Sequence, residues 1–292
     1  MGEWGLFASA EIARIQDALV LRPDLAGMLV VGSVARGYAD YFSDVDILCV
    51  WHTIPGRPER YVLCRELNDA FAPAPQLVHY SRLAVDRFRV NGREVELLHV
   101  SVEHLVHAVD ATLNTGEVDR AIPDRYGLWA PCVWLQDGIV LSPLSSDLEA
   151  LRSEVREPPS AFCEQVIAHQ FTQMRLPVLY HLQKAALRGD SLFLHTVIDD
   201  VITHLLCALF IFHGRFFPGM RWLSQQLERI PAKPARLLER ITALQSTPAA
   251  FARDIPPAAR LLVRDTAGII QPWFPAAVPD WAGSATGDAA RA

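Results

Sequence analysis

Met28-Leu29-Val30-Val31-Gly32-Ser33-Val34-Ala35-Arg36-Gly37, followed by Ser43-Asp44-Val45-Asp46-Ile47-Leu48, is the stretch from which the fold of this chain can be read. An apolar run ends in a small-residue turn, and the next apolar run carries two carboxylates spaced two residues apart. Alternate side chains of a strand share a face, so Asp44 and Asp46 point one way while Val45 and Ile47 point into a core. Two parallel carboxylates form a hard-oxygen site suited to Mg²⁺. Gly32 and Ser33 begin a short segment whose leading N–H groups are available to phosphate oxygens. A phosphate cradle and a metal site are therefore expected side by side.

A Gly-Ser pair alone is an ordinary turn, and Asp-x-Asp alone is common on solvated loops. Together at this spacing, each on a strand, they resemble the signature of the polymerase-β-like nucleotidyltransferases: Gly-Ser, a short spacer, then Asp-hydrophobic-Asp-hydrophobic. The resemblance calls for a third carboxylate on a later strand. Asp86 to Val90, Asn91-Gly92, and Arg93 to Val100 read as a hairpin, because Asn-Gly is the preferred two-residue type I′ turn. Glu94 and Glu96 share a face of its second strand. Glu96, between Val95 and Leu97, fits the hydrophobic-acid-hydrophobic pattern; Glu94, nearer the turn, is the alternative. His99 has the opposite parity from Glu96 and reads as a packed or solvated histidine.

Composition suits a two-domain enzyme. The 292 residues are 51% hydrophobic and carry a net charge of −6 with no long basic run, which disfavours general nucleic-acid binding. Five widely spaced cysteines suggest neither a disulfide framework nor a zinc site. No basic region precedes an apolar core near Met1, so a cytoplasmic location is expected. The most apolar segment, Leu205 to Phe212, falls short of the ~20 residues of a membrane span, so no membrane association is expected.

The predicted fold class is α+β, an N-terminal mixed sheet with flanking helices followed by an all-α domain. Helical spacing covers Ala8 to Val20 and Pro58 to Phe71, and strand-like runs cover Met28 to Val31 and Val45 to Trp51. Ser101 is placed to cap a helix through Leu113. Trp134 to Leu141 contains an Asp-Gly turn and a strand-like run, and another helix is expected near Asp147 to Val155. Glu157-Pro158-Pro159-Ser160 breaks the pattern. The expected domains are residues 1–157, a catalytic domain, and 158–275, helical, with 276–292 a disordered tail. In the second domain the period is helical over Phe162 to Arg188, Leu192 to Phe212, Arg221 to Ile230, Ala235 to Leu244 and Pro257 to Ile270.

The helical half extends the resemblance. Ala186-Leu-Arg-Gly-Asp190, Phe193-Leu-His195, Asp199-Asp200 and His213-Gly-Arg-Phe-Phe-Pro-Gly-Met-Arg-Trp-Leu223 resemble the C-terminal domain of a bacterial nucleotidyltransferase family that pairs this catalytic half with a helical one. That family's Lys-Trp-Leu is Arg221-Trp222-Leu223 here. Aminoglycoside and lincosamide nucleotidyltransferases are more distantly similar. The resemblance implies transfer of a nucleoside monophosphate from an NTP to the hydroxyl of a small molecule, with two Mg²⁺ held by Asp44, Asp46 and Glu96 and pyrophosphate released. Gly32, Ser33 and neighbouring N–H groups would hold phosphates, with Arg36 a further nucleotide contact.

Arg188, Arg215 and Arg221 are candidate phosphate contacts, or else helix-end charges. Asp199 or Asp200 is a candidate general base, and Trp222 reads as a packing anchor. Arg175 and His181 are poorly spaced for an RNase motif. Two other functions stay open: modification of a protein or RNA, and a non-catalytic nucleotide-binding regulator.

Overall fold

The structure, a computed structural model, describes residues 9–116, 119, 121–123, 126–247 and 249–283. The chain divides into two compact units, Met1–Glu157 and Pro158–Ala292.

The first unit is built on a six-stranded mixed sheet in the order β3-β4-β5-β2-β1-β6. In chain order its elements are α1 (Ser9–Leu19), β1 (Leu25–Val31), α2 (Gly32–Arg36), β2 (Val45–Trp51), α3 (Arg57–Leu67), β3 (Gln76–His79), β4 (Ala84–Val90), β5 (Arg93–Ser101), α4 (Val102–Thr115), α5 (Ala130–Asp137), β6 (Ile139–Val140) and α6 (Ser146–Arg156). Among the described residues only β2 and β5 pair in parallel; the other ladders are antiparallel. Asn91 and Gly92 take φ of 53° and 78°, as a type I′ turn requires. They set Arg87 opposite Glu96 and Arg89 opposite Glu94.

One sheet face presents Met28, Val45, Ile47, Trp51, Val95 and Leu97 to Ile15 and Leu19 of α1 and Leu63 and Leu67 of α3, forming a single buried cluster. The other face buries Leu29, Val31, Leu48, Val50, Leu98 and Val100. Here α4 packs on β5, α5 on β1, and α6 on α4 and α5. Ser101 caps α4, its side chain accepting the His104 N–H at 3.1 Å.

Two local expectations are corrected, and one strand is added. Trp134 to Leu141 is not a turn within a strand: α5 runs to Asp137, and only Ile139–Val140 pairs with β1. A Cβ added to Gly138 would lie 2.4 Å from the Trp134 carbonyl oxygen and 2.8 Å from Leu29 Cδ2, so Asp137-Gly138 closes a helix against the sheet. The edge strand β3 carried no clear sequence signal, since its residues are exposed or half-buried. Residues 276–283, expected to be disordered, bury Ala277, Val278 and Ala282 and include α13 (Asp280–Gly283). The remainder of that tail lies outside the described residues.

In the second unit, α7 (Ser160–Leu176) passes through a π-helical turn, Pro177–His181, into α8 (Leu182–Arg188). Pro177 lacks an N–H, and the widened turn carries the helix across it, in keeping with the helical period over Phe162 to Arg188. The centre of the unit is α9 (Ser191–Phe212), packed by α7, α8, α11 (Leu237–Ser246) and α12 (Ile255–Ile270), with α10 (Leu223–Glu228) against α11. By length and composition α9 is apolar enough to cross a membrane, but most of that window is buried within the protein.

Candidate active site

In β2 every residue is buried except Asp46, which is half-buried. A carboxylate in the second position of a central strand is costly to bury without partners. Its position follows from the ladders: Asp46 is the Cα partner of Val31 at the end of β1 and of Glu96 in β5. Glu96 pairs with Arg87 and Arg87 with Gln76, so one row across the sheet face reads Val31, Asp46, Glu96, Arg87, Gln76. Asp44 immediately precedes β2. A turn in which Asp40 and Ser43 bond each other delivers it there: the Asp40 N–H donates to Ser43 Oγ at 2.9 Å, and Ser43 Oγ donates to Asp40 Oδ1 at 2.9 Å.

Gly32 is pressed against this row. It takes φ of +68°, and a Cβ there would lie 2.1 Å from Asp46 Oδ2. Any side chain would both strain the backbone and displace the carboxylate. Ser33 follows at once, and its carbonyl accepts the Tyr38 N–H at 2.9 Å, turning the chain back towards β2. Arg36 lies opposite Asp137 at the end of α5, with Nη1 to Oδ2 at 3.7 Å and both side chains mostly buried. It ties α2 to α5, a structural task in addition to the expected nucleotide contact.

Glu96 is buried while Glu94 is exposed. Both Glu96 oxygens are engaged: Arg87 Nε donates to Oε1, and the Tyr126 hydroxyl donates to Oε2 at 3.2 Å. Trp134 of α5 meets the Tyr126 ring edge to face with centroids 6.0 Å apart. The set Asp44, Asp46 and Glu96 is right in kind for a hard divalent cation, all oxygen with no thiol or imidazole. Among the described residues, however, no three His, Cys, Asp or Glu side chains gather as a ready metal site. Glu96 is held here by Arg87 and Tyr126. Neither partner was singled out in the sequence. For Arg87 the signal was there: a two-residue turn at Asn91-Gly92 dictates the Arg87–Glu96 pair.

His99 lies on the opposite face, fully buried. Trp51 Nε1–H donates to His99 Nδ1 at 3.0 Å, so the ring proton sits on Nε2, which faces Asp86 Oδ2 at 3.0 Å. Arg60 Nη1 donates to the other Asp86 oxygen, and the Cys64 thiol approaches Oδ2 at 3.7 Å. Burial, with the Arg60 charge adding to it, holds the His99 imidazole below its ordinary value against the pull of Asp86.

In the second unit, Arg188, Arg221, Asp199 and Asp200 are exposed, and Arg215 and Trp222 are half-buried. Asp199 Oδ1 accepts from Gln245 Nε2 at 3.1 Å. Trp222 takes φ of 60° at the start of α10. Arg175 is exposed, and the His181 ring lies 5.9 Å from that of Phe193, centroid to centroid. All five cysteines are free and buried, and burial pushes the Cys163 thiol up to about 11.

A family described as "Domain of unknown function (DUF4037)" matches residues 132–223. No curated protein matches the chain. Among solved structures, a nucleotidyltransferase-like protein from Exiguobacterium sibiricum 255-15 is similar over 96% of this chain and 77% of that one, at 14% identity and a TM-score of 0.40.

Proposed function

We propose that the chain is a Mg²⁺-dependent nucleotidyltransferase that moves a nucleoside monophosphate from an NTP to the hydroxyl of a small molecule and releases pyrophosphate. The observation that carries this reading is the register of Asp46 beside Glu96, with the Gly32 backbone held against the Asp46 carboxylate. A fold has no packing reason to set two acids side by side on central strands and to keep the facing residue without a side chain.

Asp44, Asp46 and, once turned from Arg87 and Tyr126, Glu96 would hold the divalent cations. Bound there, such ions polarise phosphoryl oxygens and neutralise the charge of the leaving pyrophosphate. Gly32 lets the triphosphate approach the backbone, and Ser33 offers a hydroxyl and an N–H beside it. Arg87, released from Glu96, is then free to donate to a phosphate oxygen. The exposed pair Tyr41 and Phe42, on the turn before Asp44, offers ring faces at the rim. The five free, buried thiols are in keeping with a cytoplasmic location.

The test is a screen with Mg²⁺ and each NTP labelled at the α-phosphate, against aminoglycosides, lincosamides, nucleosides, sugars, tRNA and the protein itself. Label on a small hydroxylated compound is expected. Label only on tRNA or protein would move the function to macromolecule modification, and saturable NTP binding without transfer to any acceptor would make the chain a nucleotide-binding regulator.

A further inference from the structure

The sheet face that carries Asp46 is apolar and covered where α4 and α5 lie on it, and polar and open at the corner beyond Glu96. There a cleft of about 170 Å³ lies between the Pro73-Ala74 loop, Gln76 of β3, Arg87 and Arg89 of β4 with Phe88 between them, and Glu94 of β5. Phe88 is buried, so the side chains that line it with polar groups are two arginines, one glutamine and one glutamate.

The register sets this lining. Gln76, Arg87 and Glu96 share one row, and Arg89 and Glu94 form the next, two residues nearer the Asn91-Gly92 turn. Gln76, Arg89 and Glu94 are exposed, and Arg87 is half-buried. Among the described residues the Arg89 guanidinium closes no ion pair, even with Glu94 across the hairpin. Arg87 is held by Glu96, the acid that cations would claim. With Glu96 turned to them, the cleft carries two guanidiniums to one carboxylate, one side chain away from the Asp46–Glu96 pair. Such a balance attracts an anion, and guanidiniums match carboxylate and phosphate oxygens.

We propose, resting on the nucleotidyltransferase reading above, that this cleft is the acceptor subsite and that the acceptor is a hydroxylated compound bearing one acidic group, a carboxylate or a phosphate, held by Arg87 and Arg89. The acceptor hydroxyl oxygen bonds to the α-phosphorus of the NTP as the bond from that phosphorus to the pyrophosphate bridge breaks. Pyrophosphate leaves with the electron pair, and the hydroxyl proton passes to water. A polycationic acceptor meets two like charges in the cleft and is disfavoured.

Binding is read by NMR on the full chain with ¹⁵N-labelled arginine in Mg²⁺, from the Arg87 and Arg89 amide signals assigned through Arg87→Lys and Arg89→Gln. The probes are D-gluconate, D-glucose 6-phosphate, D-glucose and D-glucosamine, the first two distinguishing carboxylate from phosphate. Saturable shifts with one or both acids are expected, with glucose and glucosamine weaker by at least about tenfold. Arg89→Glu, at an exposed position, should reverse the order to glucosamine over gluconate while the other arginine amides keep their positions. Absence of saturable shifts with both acids, equal affinity for glucose, tighter binding of glucosamine, or an unchanged order in Arg89→Glu would overturn the proposal. Transfer from labelled NTP to neutral or cationic compounds and to neither acid would overturn it too, and would leave the nucleotidyltransferase reading standing. Acid binding with no transfer to any acceptor would instead sink that reading, and the acceptor assignment with it.

Discussion

Arg87 and Glu96 face each other across the β4–β5 hairpin, and Arg87 Nε donates to the carboxylate that the sequence pattern offers as a third metal ligand. The same pair both stabilises the metal-free protein and competes with a cation for Glu96. Replacing Arg87 with Met leaves a mostly buried carboxylate with Tyr126 alone, at a cost of about 1–3 kcal/mol. Melting of wild type and Arg87→Met with and without Mg²⁺ should show a lower Tm for the variant and a larger Mg²⁺-induced rise. Equal Mg²⁺ shifts in the two proteins would mean that Glu96 does not ligate.

Asp46→Asn and Glu96→Gln each keep shape and remove a charge. Transfer should fall by orders of magnitude in both, in line with the several kcal/mol contributed by a catalytic metal. Glu94→Gln, at an exposed position, should leave the rate within about twofold. Rates measured at saturating Mg²⁺ decide the matter: loss in Glu94→Gln with a normal Glu96→Gln would shift the ligand to the exposed acid, and normal rates in all three would sink the nucleotidyltransferase reading.

Gly32→Ala introduces both a disfavoured φ and a collision with Asp46. The backbone strain alone costs about 1–2 kcal/mol, and the carboxylate must move. Denaturant unfolding should report that loss, and NTP turnover should drop more steeply than stability. Ser33→Leu, which adds bulk without backbone strain, should weaken NTP affinity while the fold survives; unchanged affinity would remove Ser33 from the site.

On the far sheet face, Asp86→Leu strands the Arg60 charge in a buried setting and should destabilise by about 3–5 kcal/mol. Removing both charges, as Asp86→Leu with Arg60→Met, should recover most of that loss. Urea titrations of the two singles and the double form a cycle, and an additive result would mean that the two groups are not coupled.

Burial foremost keeps His99 and His204 below the ordinary histidine value of 6.5. As pH falls through that value the unfolded chain takes up protons at these positions before the folded one does, so unfolding is favoured. Stability should be level above pH about 7 and decline below about 6.5, a window well above the ordinary carboxylate range. Urea midpoints across this range test the sign, and a rise on acidification would contradict it.

Legibility followed how local each signal is. The Gly32-Ser33 turn, the Asp44 and Asp46 spacing and the Asn91-Gly92 hairpin are short-range patterns with a direct steric or parity meaning, and the mixed sheet with a helical second half could be read from them. Parity alone left Glu94 and Glu96 on one face; burial separates them, and burial comes from what α4 and α5 lay over the sheet. Tyr126 reaches Glu96 from a loop whose sequence carries no period. Asp86 sits where alternation calls for an apolar residue, and its partners arrive from α3 and two strands. Asp137-Gly138 has the composition of a hairpin turn, yet the approach of Gly138 to Leu29 makes it a helix end.

The parallel pairing of β2 with β5 also governs when the site comes into being. Parallel neighbours cannot be joined by a tight turn, and here α3, β3 and β4 all intervene between Asp46 and Glu96. Closing so long a segment carries a large entropic cost before any contact rewards it, so this pairing belongs to the slow, non-local part of folding. During synthesis β2 emerges with one edge open until β5 follows. Recovery of activity on refolding should therefore lag behind recovery of helical signal, the two acids meeting only when the sheet closes around them.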